Sequence, residues 1–161
     1  MKKFTLSSII CILILSFTSC GDKVLSKITL NKDLEYCVDV LTWEKENDFF
    51  EPVKGTYKLI EKDGQLQITI KFVKIEECKH HDYTVDEFVL QAVDGNDHLI
   101  QINGEDVEFL AENKTEVVND LFTAKVGDKT DVVFTLPPVD KESKETIISN
   151  FKACFFELSL D

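Results

Sequence analysis

Catalysis and ion binding draw on a few side-chain types, and this chain holds only three histidines and five cysteines in 161 residues. The densest group is Cys78-Lys79-His80-His81-Asp82. Thiolate, imidazole and carboxylate all ligate zinc or copper, so Cys78, His80 and His81 are the candidate metal residues. Their spacing argues for a solvated loop instead. Neighbouring side chains on an extended chain point to opposite faces, and the third histidine, His98, lies well downstream. Asp94-Gly95-Asn96-Asp97 has oxygen ligands suited to calcium. An EF-hand loop, however, needs ligands at alternate positions, a glycine sixth and a glutamate twelfth, and this segment reads as a turn. Trp43, Phe49 and Phe50 form the remaining candidate, a platform for the apolar face of a sugar or peptide. The same rings would also serve as a hydrophobic plug.

The sequence contains no phosphate-binding glycine loop, no nucleophile elbow and no serine–histidine–aspartate order. A general base has little support from so few histidines. We therefore expect a protein that is not an enzyme and takes no cofactor. The formal net charge is −12, and all eighteen basic residues are lysine. Affinity for nucleic acid rests on Lys and Arg neutralising phosphates, so no nucleic-acid partner is expected. With 43% hydrophobic and 30% charged residues, the balance is that of a globular domain.

The elements that would position these residues are mostly strands. Leu34, Tyr36, Val38 and Val40 alternate with other residues at period two. Pro52–Ile60 reads as a strand, Asp63-Gly64 as a tight hairpin turn, and Leu66, Ile68, Ile70 and Phe72 as the apolar face of the returning strand. Phe88–Val93 is apolar on both faces, which predicts a central strand, with Leu99–Ile102 as its hairpin partner and a short strand around Val107, Phe109 and Ala111. Val117, Val118, Leu121 and Phe122 fall on one face of a helix over Asn113–Lys125, with Thr115 as its cap. Val132, Phe134 and Leu136 alternate up to Pro137-Pro138, a helical turn is expected around Ile147-Ile148, and Cys154, Phe156, Leu158 and Leu160 close the chain as a strand. Many short strands with little helix predict an all-β, antiparallel, immunoglobulin-like β-sandwich with one or two short helices. A small barrel is the alternative.

The N-terminal segment reads as an address. Met1-Lys2-Lys3 is basic, Leu6–Phe17 is twelve mainly apolar residues, and small residues follow. This is the order of a signal peptide, and it is too short for a spanning helix, which needs about 20 residues. Phe17-Thr18-Ser19-Cys20-Gly21 resembles a bacterial lipobox. The resemblance implies that residues 1–19 are a lipoprotein signal peptide and that Cys20 carries a diacylglycerol thioether. Residues 20–32 would then be the lipidated N-terminus and tether, within which Val24–Leu30 is too short to settle as a first strand, and 33–161 a single β-sandwich domain. So acidic a body is repelled by anionic headgroups, so the membrane would be reached through the acyl chains on Cys20. With Cys11 removed and Cys20 lipidated, Cys37, Cys78 and Cys154 remain, enough for one internal bridge. If a bridge forms, Cys37–Cys78 is the expected pair, with Cys154 buried on the last strand.

From Pro52 onward the chain resembles lipid-anchored β-sandwich proteins of Bacteroides and its relatives. The likeness rests on Val53-Lys54-Gly55-Thr56-Tyr57, Phe88-Val89-Leu90-Gln91 and Ala124-Lys125-Val126-Gly127-Asp128 before Val132-Val133-Phe134. It implies an envelope lipoprotein, most simply of the outer membrane, that presents a β-sandwich to a protein or glycan partner. Gly55-Thr56-Tyr57 is also similar to the Gly-x-Trp opening of lipocalins, which implies a carrier of a small apolar ligand.

Overall fold

In the computed structural model, which describes residues 23–30, 37–40, 49–77 and 84–160, β4 (Thr56–Lys62) and β5 (Gln65–Lys74) form a hairpin around Asp63-Gly64. Both turn residues have positive φ, 50° and 82°, as a two-residue turn between twisted strands requires. The period-two pattern of β5 sends Leu66, Ile68, Ile70 and Phe72 into the core, at 0–1% exposure. Lys74 continues the same period and is equally buried.

The remaining strands extend this hairpin into one curled, mostly antiparallel sheet. They are β1 (Lys23–Leu30), β2 (Cys37–Val40), β3 (Phe50–Pro52), β6 (Val85–Val93), β9 (Glu108–Ala111), β10 (Lys129–Thr135) and β11 (Ala153–Leu160). The order is β1-β4-β5-β10-β9-β6-β11-β2, with β3 on β5. The end of β1 also pairs with β11, in parallel, at Thr29–Ala153 and Leu30–Cys154. The sheet thus curls until β1 at one edge meets β11, the strand next to its other edge. The all-β, antiparallel architecture read from the sequence is present, and its geometry lies between a sandwich and a half-barrel.

Four strands each send one phenylalanine to the centre, and the rings form a closed quartet. Phe72 lies 5.2 Å from Phe156 and 5.7 Å from Phe88, while Phe134 lies 5.2 Å from Phe88 and 5.9 Å from Phe156. Centroid separations of this size are those of favourable ring pairs. One end of the curled sheet is covered by helix α1 (Lys114–Thr123), which contacts β5, β6 and β10 and buries Val118, Leu121 and Phe122. Toward the other end lies α2 (Lys141–Asn150), which buries Ile147 and leads into Phe151, whose ring lies 5.2 Å from Phe109.

Four expectations change. Residues 20–32 are not simply a tether: Lys23–Leu30 is a sheet strand, paired with β4 and β11, and Ile28 is fully buried. The folded unit therefore includes residues before 33. Leu99–Ile102 is a partial hairpin partner of β6: Leu99 bridges Val93 and the Ile100 N–H donates to the Ala92 carbonyl, while β7 (Gln101–Ile102) pairs with β8 (Glu105–Asp106). The second helix is ten residues rather than one turn, and α1 has Asn113, not Thr115, at its N-cap.

Candidate functional site

Cys20, Trp43, Cys78, His80 and His81 lie outside the described residues. Cys37 stands on β2 opposite Glu157 of β11, and its proposed bridge partner Cys78 is again outside. Phe49 and Phe50 are described, and they behave as the plug. Phe50 is 1% exposed, and its ring lies 5.8 Å from Phe72 and 5.7 Å from Phe122. Phe49 is half-buried and lies 5.8 Å from Phe122. Phe50 is thus a core residue rather than part of a binding platform, because its ring is covered by other rings.

Beside this plug sits Lys74, the one charged side chain among the described residues that is almost fully buried. Its Nζ donates to the Phe122 carbonyl at 2.9 Å, at the C-terminal end of α1. It also lies 5.4 Å from the Phe49 ring centre and 5.5 Å from that of Phe122. A helix C-terminus presents unpaired carbonyls and partial negative charge, and α1 has no basic residue in its own last turn. Lys74 supplies that cation from β5. The sequence carried a signal for it: the inward alternation of β5 runs through position 74.

Other titratable groups have structural partners. Burial pushes the Cys154 thiol well above its usual range, so the buried sulfur is a poor nucleophile. Tyr57 is raised mainly by burial, and its hydroxyl donates to the Val53 carbonyl. Asp94 accepts backbone N–H bonds from His98 and Asn96 within one turn, which hold its carboxyl below the usual range. Among the described residues, no group of three or more His, Cys, Asp or Glu is placed to hold a metal ion. The segment Asp94–Asp97 is accordingly a turn, stitched by its own aspartate.

A groove of about 610 Å³ lies on the wall, where β6 meets the β9–α1 corner. Val89 and Leu110, which pair across β6 and β9, stand in its wall, and Leu110 is 47% exposed. Its charged groups are Asp86, Glu87, Glu116 and Lys114. A smaller hollow of about 130 Å³ lies between the Asp63-Gly64 turn and Pro137-Pro138. There Lys144 bonds Glu61 at 2.8 Å and the Gly64 carbonyl at 2.5 Å. The class this defines is an all-β domain with a phenylalanine cluster at its centre and, among the described residues, an open groove on its wall. Compared with known protein families, curated proteins and solved structures, the chain shows no match.

Proposed function

We propose that this chain is a non-enzymatic cell-envelope lipoprotein, anchored through acyl chains on Cys20, that presents its β-domain to a protein or glycan partner. The observation that carries the reading is the occupied interior. The phenylalanine quartet packs ring against ring between opposing strands, and α1 and α2 lie toward its two ends. Contact with a partner therefore falls to the outer surface, where the 610 Å³ groove lies. The charged body favours attachment by acyl chains over direct contact with anionic lipid.

The meeting of β1 with β11 favours a second reading, the lipocalin-like carrier, since closure is what a barrel needs. An apolar ligand would there have to displace packed rings. Titration with an apolar fluorescent probe separates the two: the surface reading expects no saturable site, and one site per chain would establish the carrier. For the anchor, Cys20→Ser should move the protein from the membrane fraction to a soluble exported form or leave it unprocessed. Full membrane retention of the processed variant would overturn it.

A further inference from the structure

We infer that the groove at the start of β6 receives an extended, basic segment of a partner protein; this rests on the surface reading above. The wall of the sheet is incomplete there. Val85, Glu87 and Phe88 pair with β11 along one edge, with Asp86 in a bulge between them, whereas pairing with β9 begins only at Val89. Among the described residues no strand covers the remaining stretch of edge. On that side the Asp86 carbonyl accepts a hydrogen bond from the Lys114 ammonium, which reaches across from α1.

Lys114 shows what the groove recognises. It is the only cation among the groove's lining residues, beside the carboxylates of Asp86, Glu87 and Glu116, so the site is net negative even with its own lysine in place. The exposed Leu110 adds an apolar contact within the same groove. An extended segment alternating basic and apolar residues matches this arrangement. Its backbone would continue the free edge and its cations would meet the carboxylates, as strand addition requires. In the unbound protein Lys114 occupies the edge, and a lysine is a common guard of exposed edges. The incoming segment replaces it.

The test uses the full chain and a short labelled peptide in which lysine alternates with valine, followed by fluorescence anisotropy. Saturable binding is expected. Methylating alternate backbone nitrogens of the peptide, or combining Glu87→Lys with Glu116→Lys, should each weaken it by at least about tenfold. The double variant should keep the wild-type melting temperature. Lys114→Ala should tighten binding several-fold, because it frees the Asp86 carbonyl and removes a competing charge. Equal binding of the methylated peptide, an indifferent double variant, weaker binding to Lys114→Ala, or no saturable binding would each overturn the proposal. Fractionation of Cys20→Ser is read separately. A lipid-anchored chain that ignores the peptide defeats the groove alone, and a chain that binds the peptide but carries no lipid defeats the envelope reading alone.

Discussion

The two helices are held in different ways. Helix α2 starts by a local device: the Asp140 carboxylate accepts from the Ser143 backbone N–H at 2.9 Å and from its hydroxyl at 2.7 Å. Helix α1 starts at Asn113, with φ 51° and no side-chain cap, and its far end is met by Lys74 from another element. One helix is encoded largely by neighbouring residues. The other is encoded by its apolar face and by a cation 48 positions away in sequence. The lesson is that α1 depends on the finished sheet, whereas α2 has part of its stability before the sheet closes.

The largest test of that difference is Phe122→Ala. The ring joins Phe49, Phe50 and the Lys74 ammonium, so its loss empties the junction of α1 with the sheet. Truncating a buried phenylalanine costs about 3–5 kcal/mol, and denaturant unfolding of the variant should show a loss of this order. Stability within 1 kcal/mol of wild type, a small part of the effect expected for such a site, would mean that α1 does not depend on this junction.

Lys74→Met comes next. It keeps most of the buried stem but removes the charged donor to the Phe122 carbonyl and the cation from beside the two rings. A hydrogen bond to a charged group contributes about 1.5–3 kcal/mol. Hydrogen exchange should quicken in the last turn of α1 more than in α2, because local opening follows the contacts removed. Equal quickening of both helices would place the effect of Lys74 in the whole core rather than at one end.

Cys154 offers a test in which position matters more than energy. The sulfur is fully buried on β11, opposite Ala92. In the folded protein it should resist alkylation at a pH where an exposed thiol reacts, and denaturation should release it. Fast labelling without unfolding would show that the β11 side of the sheet opens readily.

The same contrast explains what could be read from the sequence. The β5 and β11 patterns were legible because period-two alternation directly reports a buried face: Leu66, Ile68, Ile70 and Phe72 on one strand, Cys154, Phe156 and Leu158 on the other. Helix α1 was legible from Val117, Val118, Leu121 and Phe122. Helix α2 reads only as a turn from sequence, because Ile147 and Ile148 are its only large apolar residues and its start signal is the short-range Asp140–Ser143 bond. The β1 strand is not settled by sequence because so short a stretch does not reveal that Ile28 pairs with Tyr57 of β4 while Thr29 and Leu30 pair with β11. The groove was illegible for a different reason. It exists because β9 stops short along β6, and no residue type announces where a neighbouring strand ends.

The smallest expected effect concerns the local cap. Asp140 is exposed, and its carboxyl is held below the usual range first by the Ser143 backbone N–H and then by the Ser143 hydroxyl. A carboxyl that titrates lower in the folded state adds stability above its unfolded pKa and loses it as pH falls through the folded value. Asp140→Ala should therefore lower the melting temperature slightly and by a constant amount at neutral and mildly acidic pH. The difference should begin to shrink near the ordinary aspartate pKa of about 3.9 and should vanish in stronger acid. Asp94→Ala serves as a control, since its carboxyl is lowered by backbone bonds from His98 and Asn96 in a turn apart from either helix. Both variants should share the pH window, but only Asp140→Ala should speed hydrogen exchange at the start of α2. If Asp140→Ala leaves exchange in the first turn of α2 unchanged, the cap does not hold that helix. The contrast between a locally started α2 and a remotely held α1 would then fail at the point where it is easiest to measure.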